Sequence, residues 1–170
     1  MAASTPSFRI EPLSDRHRRT DFNSGVEAFD RYLLQQVSQD VRRHVASCFV
    51  LIADEQPSPL GYYTLAATSI LLSDLPTPVA KKLPRYPKIP ATSLGRLAID
   101  VRQQGHRYGE LLLFDAFSRT LRSEIGTYAL VVQAKDDKAA SFYRHYGFLP
   151  LGSDSRHSFA PVAEIAKLFT

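Results

Sequence analysis

A single cysteine rules out an internal disulfide, and Cys48 stands inside the apolar run Cys48-Phe49-Val50-Leu51-Ile52-Ala53. There it reads as a small buried hydrophobe rather than a nucleophile. The shortage excludes a disulfide-held secreted scaffold and fits a reducing compartment. No apolar run approaches the roughly eighteen residues that a membrane-crossing helix needs. The opening Met1-Ala2-Ala3-Ser4-Thr5-Pro6 has neither a charged n-region nor an apolar h-region. The expectation is a cytoplasmic protein. Metal-binding spacing is also missing, because His106 and His145 lack a paired partner, so no metal is expected. There is no internal repeat and no low-complexity segment.

What is present is an ordinary globular composition, 44% hydrophobic and 22% charged over 170 residues. That length supports one domain, 1–170, with a core of its own. The net charge of +4 points to an anionic partner without identifying it. The cations cluster in three places: Arg16-His17-Arg18-Arg19, Arg42-Arg43-His44, and Lys81-Lys82-Leu83-Pro84-Arg85-Tyr86-Pro87-Lys88. One such cluster is more often a solvated surface. Three make a polyphosphate or nucleic-acid ligand worth considering.

The alternation at Phe8–Leu13 predicts a short edge strand that tolerates Pro12. Val26, Phe29, Leu33, Val37 and Val41 recur at helical spacing, predicting a helix from about Gly25 to Arg43. Ser24 and Glu27 stand as a capping box at its start. Ser47–Ala53 and Leu60–Thr68 read as a hairpin around the turn residues Asp54-Glu55-Gln56-Pro57-Ser58-Pro59. Between Ser73 and Pro90, Pro76, Pro78, Pro84, Pro87 and Pro90 forbid a long regular element. A short helix over Pro78–Leu83 is expected with the rest a loop, and the apolar Leu83, Tyr86 and Ile89 favour that loop being ordered.

The central stretch is an apolar strand, Leu94–Ile99, ending at Asp100, then a loop carrying Gly105 and Gly109, then a leucine-rich helix. Such a junction suits an anion: the first helix amides lack partners, the dipole is positive there, and glycine lets a phosphate approach. The same pattern also serves plain tight turns. Tyr128–Val132 then reads as a strand, Asp136–Tyr146 as a helix stopped by Gly147 in the left-handed conformation, and Phe148–Leu151 and His157–Val162 as further strands. Pro161–Leu168 could close the chain with a helical turn. The fold class is α+β, a mixed sheet with helices on both faces.

This order, with Gly-Arg-Leu-Ala-Ile-Asp at 95 to 100, Gln-Gly-His-Arg-Tyr-Gly at 104 to 109 and Ala-Ser-Phe-Tyr-Arg-His-Tyr-Gly-Phe at 140 to 148, resembles the GNAT N-acetyltransferases. Phe-Asp-Arg-Tyr-Leu at 29 to 33, Gln39-Asp40 with Arg42-Arg43, Gly61-Tyr62-Tyr63-Thr64-Leu65 and Leu83-Pro84-Arg85-Tyr86-Pro87 are similar to the GNAT toxins of bacterial toxin-antitoxin modules. The resemblance implies the GNAT fold and a mostly antiparallel sheet. It also implies acetyl-CoA as acetyl donor, the amino acid of an aminoacyl-tRNA as acceptor, a ribbon-helix-helix antitoxin as partner, and a homodimer. The alternative is a GNAT enzyme acting on a protein or small-molecule amine. A third reading is a non-catalytic module that binds antitoxin and DNA.

By the same resemblance, Gln104, Gly105, His106, Arg107, Tyr108, Gly109 and Glu110 cradle the coenzyme pyrophosphate. Leu97, Ala98 and Ile99 pair with its pantetheine arm, and Asp136 stands where many members carry an asparagine that contacts that arm. Arg107 occupies the family's inner glycine position, where a side chain disfavours a positive φ but adds a guanidinium. Tyr143 takes the role of general acid toward the departing thiolate, a step that a phenol can perform. Its helical spacing with Ala139, Phe142 and Tyr146 would equally suit a core tyrosine. Arg42, Arg43, Lys81, Lys82, Arg85 and Lys88 are the expected tRNA phosphate contacts, with Tyr86 free to stack on the terminal adenine. Asp100 more simply fixes the loop than acts as a base.

Overall fold

A computed structural model describes residues 7–170, so the Met1–Pro6 segment read for a leader lies outside the described residues. Seven strands form one sheet: β1 (Phe8–Pro12), β2 (Ser47–Ala53), β3 (Gly61–Leu71), β4 (Lys88–Ile99), β5 (Ala129–Gln133), β6 (Leu149–Pro150) and β7 (His157–Pro161). Their order is β1-β2-β3-β4-β5-β7-β6. The helices are α1 (Glu27–Arg31), α2 (Val37–Arg42), α3 (Thr77–Ala80), α4 (Tyr108–Leu121), α5 (Asp137–His145) and α6 (Val162–Ala166). Pairing is antiparallel for β1–β2, β2–β3, β5–β7 and β6–β7 and parallel for β4–β5. The mixed sheet expected from the sequence is present, and β1 with Pro12 is its edge strand. Among the described residues, no helix is long and apolar enough to cross a membrane.

The chain divides into two compact units, one holding residues up to Leu65 with Arg96–Ala116, the other Ala66–Gly95 with Phe117–Thr170. In the first, alternation along β3 sends successive tyrosines to opposite faces. Tyr62 joins Leu33, Val37, Cys48, Val50 and Ala98 in a core under α1 and α2, and its hydroxyl donates to the Phe29 carbonyl at 2.7 Å. Tyr63 turns the other way and donates to Asp115 of α4 at 2.5 Å. Helices therefore cover both faces of this part of the sheet.

The helix expected over Gly25–Arg43 is interrupted by a π-helical turn at Tyr32–Gln36. One extra residue in that turn advances the helix phase, which brings Tyr32 inward beside the expected Leu33 and Val37. The capping box does not form. The Ser24 amide and hydroxyl instead donate to the Asp30 carboxylate at 2.9 and 2.7 Å, and Glu27 pairs with Arg31 one turn on.

In the second unit, the proline-rich segment is ordered over a core of Ile70, Leu75, Ala91, Val131 and Phe159, with Val79, Ala80 and Leu83 packed against it. Ile89 is buried and Tyr86 is 65% exposed. β4 starts at Lys88, well before the expected Leu94. Pro90 fits within it because the proline carbonyl still accepts, here from the Tyr128 amide at 2.8 Å. Gly147 ends α5 at φ +95.

Candidate active site

The last residues of β4 are held from three sides in the first unit. Ala98 is buried, and Gly61 lies so close that a Cβ there would sit 2.8 Å from the Ala98 carbonyl oxygen and 2.6 Å from Ile99 Cδ1. Asp100 is 1% exposed, and its carboxylate accepts from the amides of Asn23 and Arg102 and from the Arg102 guanidinium. The Arg102 side chain, with desolvation opposing it, holds that carboxyl down at about 2. A carboxylate so committed fixes the strand end and is no base. The parallel ladder of β4 with β5 joins Thr92, Ser93 and Leu94 to Leu130, Val131 and Val132 and ends there, and Gly95–Ile99 continue β4 beyond it.

Past Asp100 the hydrogen bonding changes character. Gln104 returns its side-chain amide to the Ile99 carbonyl at 3.4 Å. Among the described residues, the amides of Gly105, His106 and Arg107 donate no backbone hydrogen bond. Tyr108 and Gly109 open α4, where helix geometry leaves amides without acceptors. Gly105 is at φ +90 and Arg107 at φ +62, so the loop keeps the left-handed turn despite arginine in the glycine position. That conformation costs a residue with a Cβ about 1 kcal/mol. The His106 and Tyr108 rings stack at 5.4 Å, and Phe8 packs on Tyr108 at 5.4 Å, which leaves the loop's main chain facing solvent. A row of unpaired amides at the start of a 14-residue helix is an arrangement whose chemistry suits a phosphate chain. Glu110 lies in the first turn of the same helix.

In the second unit, Asp136 caps α5, accepting from the Ala139 amide at 2.8 Å. Tyr143, on the inner face of α5, is 5% exposed and wedged between Phe142 and Phe148 at centroid distances of 5.2 and 5.3 Å. Its hydroxyl makes no hydrogen bond among the described residues. Nor is that oxygen enclosed, since no fully buried side-chain oxygen or nitrogen among them lacks a partner. The ring is therefore interior and the hydroxyl emerges. Burial raises its pKa above the ordinary value of 10, so the proton stays on at every physiological pH.

The basic residues fall into both units. Arg42 ends α2 and Arg43 follows it, both exposed. In the second unit Lys81 and Arg85 line one open cleft of about 600 Å³ with Leu71, Leu72, Ser73 and Leu75. Lys82 and Lys88 are exposed outside that lining. Arg96, which the sequence reading passed over, lies 3.4 Å above the Tyr32 ring. A cation alternating with apolar residues in a strand was the available signal. Among the described residues, no group of histidine, cysteine and carboxylate side chains could hold a metal ion.

No family model matches the chain. It is 33% identical over 147 residues to a tRNA-acetylating toxin of Mycobacterium tuberculosis (strain ATCC 25618 / H37Rv), covering 85% of this chain and 86% of that protein. A solved structure of AtaT complexed with acetyl-methionyl-tRNAfMet superposes with a TM-score of 0.89 at 32% identity, covering 96% of this chain and 100% of that one. A tyrosine-to-phenylalanine mutant of AtaT bound to the C-terminus of the antitoxin AtaR and acetyl-CoA gives a TM-score of 0.79 at 29% identity, covering 96% and 98%. With the strand, glycine loop, helix and tyrosine in place and this degree of identity along the chain, it belongs to the family of tRNA-acetylating GNAT toxins.

Proposed function

We propose that this chain transfers the acetyl group of acetyl-CoA to the α-amino group of an aminoacyl-tRNA, and so stops translation as the toxin of a toxin-antitoxin module. The observation that carries the reading is the run of unpaired amides at Gly105–Gly109 opening α4. Support comes from the relatives: one is named for acetylating tRNA, one is solved with acetyl-methionyl-tRNAfMet and one with acetyl-CoA and an antitoxin C-terminus.

When bound, acetyl-CoA supplies an activated acetyl thioester. The residues of this chain do the rest. The amides from Gly105 to Gly109 hold the pyrophosphate, with the Arg107 guanidinium available to a phosphate oxygen. Gln104 steadies the entry to that loop, and Glu110 contributes main chain rather than its carboxylate. The edge of Leu97–Ile99 offers main-chain groups to the amides of the pantetheine arm, as an added strand would use them. One such amide donates to the carbonyl oxygen on which negative charge develops. Asp136, with one oxygen committed to capping α5, offers the other toward the arm.

The acceptor amine needs little help. A free α-amine has a pKa of about 7.7 to 8.0, and the neighbouring ester lowers it, so a neutral fraction exists near pH 7. The thiolate leaving group needs a proton, and Tyr143 holds one on an unpartnered hydroxyl. Arg42, Arg43, Lys81, Lys82, Arg85 and Lys88 meet tRNA phosphates, and exposed Tyr86 stacks on the terminal adenine. The partner is a ribbon-helix-helix antitoxin, the working form a homodimer, and the place of action the cytoplasm.

Purified protein given radiolabelled acetyl-CoA and a charged tRNA pool is expected to label a subset of the charged species and none of the uncharged ones. Label on free amino acids or proteins, with charged tRNA left unmodified, overturns the reading.

A further inference from the structure

Arg96 lies on β4 directly before the segment assigned to the acetyl donor, on the same face of the strand as Ala98. The carbon of its guanidinium lies over the Tyr32 ring, 3.4 Å from the centroid. The ring is itself fixed: it is 7% exposed, and its hydroxyl donates to Asp40 at 2.8 Å. Asp40 is held in turn by the Gln36 side-chain amide at 3.0 Å. Tyr32 and Gln36 are the two ends of the π-helical turn, an arrangement that recurs where a helix is shaped for function.

The Asp40 carboxylate attracts the guanidinium from a distance, but the donors themselves are left over. Arg96 is half-buried, yet among the described residues it makes no hydrogen bond and no ion pair within 4.0 Å. Elsewhere in the same unit, arginines close to the core are consumed. Arg19 donates to the Leu33 carbonyl and the Ser38 hydroxyl, and Arg102 grips Asp100. A guanidinium presents its donors in a rigid plane that matches two oxygens of a phosphate, and stacking on an aromatic ring aims that plane at little entropic cost. None of the Arg96 nitrogens is enclosed, since no fully buried side-chain nitrogen among the described residues lacks a partner, so the donors reach solvent and stay open to an incoming anion.

We infer that Arg96, aimed by Tyr32, is a binding residue for a phosphodiester at the acceptor end of the incoming RNA. This rests on the proposed acetylation of aminoacyl-tRNA and adds a residue to that substrate's site. A phosphate is favoured over a carbonyl because the donor is a full charge in a half-shielded place, where an anion gains most. Coenzyme phosphates are the rival source of the same chemistry. Tyr32 is a positioning residue, since it acts through Arg96.

The test uses full-length protein, a fluorescent RNA minihelix ending in CCA, and calorimetry with acetyl-CoA. Arg96→Gln is expected to weaken minihelix binding about ten- to hundredfold. It should also flatten the dependence of affinity on salt by about one phosphate contact, a change that a purely structural role would not produce. Acetyl-CoA affinity should stay within about twofold, which also shows that the variant is folded. Arg96→Lys keeps the charge without the planar fork and should recover only part of the affinity. Unchanged RNA affinity and salt slope in Arg96→Gln overturn the inference. A parallel loss of acetyl-CoA binding overturns it as well and assigns the phosphate to the coenzyme. Because the binding arm requires no acetyl transfer, failure of the wild-type protein to acetylate charged tRNA sinks the functional reading separately.

Discussion

Tyr62 of the first unit and Tyr143 of the second are hidden to nearly the same degree, 0% and 5% exposed, and both have their phenols pushed toward higher pKa mainly by burial. Their hydroxyls differ. Tyr62 donates to the Phe29 carbonyl, as Tyr32 does to Asp40 and Tyr63 to Asp115, so each of these oxygens completes an internal hydrogen bond. Tyr143 has none among the described residues. Burial alone therefore does not separate the proposed general acid from a core tyrosine; the unspent hydrogen-bonding capacity does. The same contrast runs along the strand end and loop, where Asp100 is saturated with donors while the amides of Gly105, His106 and Arg107 have no acceptor among the described residues. In both places the paired group holds the fold, and the unpaired group is the one proposed to meet substrate.

The sharpest way to break this comparison is Tyr143→Phe. Loss of a positioned general acid should reduce acetyl transfer to charged tRNA by about 10²- to 10⁴-fold. Since the hydroxyl satisfies nothing among the described residues, thermal stability should change little. A matching fall in melting temperature would make Tyr143 another core tyrosine. In the wild type, initial rates should climb through the pKa of the acceptor amine, which the neighbouring ester holds below the free α-amine's value of about 7.7 to 8.0. They should show no fall on the alkaline side before pH 10, because Tyr143 keeps its proton beyond its ordinary value. A descending limb below pH 10 would assign the acid to another group.

Asp100→Asn tests the paired side. Its carboxyl sits at about 2 in the folded chain against an ordinary 3.8, mainly through the Arg102 guanidinium. A folded pKa below the unfolded one adds stability that is complete above about pH 4 and is lost as pH falls toward 2. The variant should be less stable than wild type by about 2 kcal/mol at neutral pH, with the gap closing in acid. Denaturant titrations at pH 7 and pH 2.5 read both numbers, and a gap of constant size would refute the assigned cause. Smaller still is Tyr62→Phe, which leaves the Phe29 carbonyl without its donor at a cost of about 1 kcal/mol and should spare kcat. A drop in kcat without loss of stability would reverse the roles of the two tyrosines.

Much of this frame was legible before any coordinates. β2 falls on Ser47–Ala53 as read, because a run of β-branched and aromatic residues between turn formers has few alternatives. Asp136 and Gly147 bracket α5 through local chemistry, a cap and a left-handed stop. What stayed hidden depends on contacts distant in sequence. The π-helical turn is invisible to a 3.6-residue period, so Tyr32 was not placed inside and Arg96 had no visible partner. β4 was cut short because prolines argue against a strand, whereas Pro90 needs only a donor, which Tyr128 provides. The family resemblance brought Tyr143 forward over a plain core position, but only the geometry shows that its hydroxyl is unengaged.

Arg107 carries the smallest expected effect and sharpens the contrast most finely, because it combines an unpaired amide with an exposed guanidinium at φ +62. Replacing it with glycine removes about 1 kcal/mol of left-handed strain but returns a similar amount of entropy to the unfolded chain. Global stability should therefore barely move. Arg107→Ala keeps the strain and discards the guanidinium. If the main chain holds the pyrophosphate, both variants should bind acetyl-CoA within about threefold of wild type, glycine the tighter of the two, because charge-assisted contacts at an exposed loop are weakened by solvent. A tenfold loss shared by both would transfer the binding from the amides to the side chain. In that case arginine at the glycine position is the loop's principal anion contact, and the unpaired amides of Gly105 to Gly109 serve only to shape it.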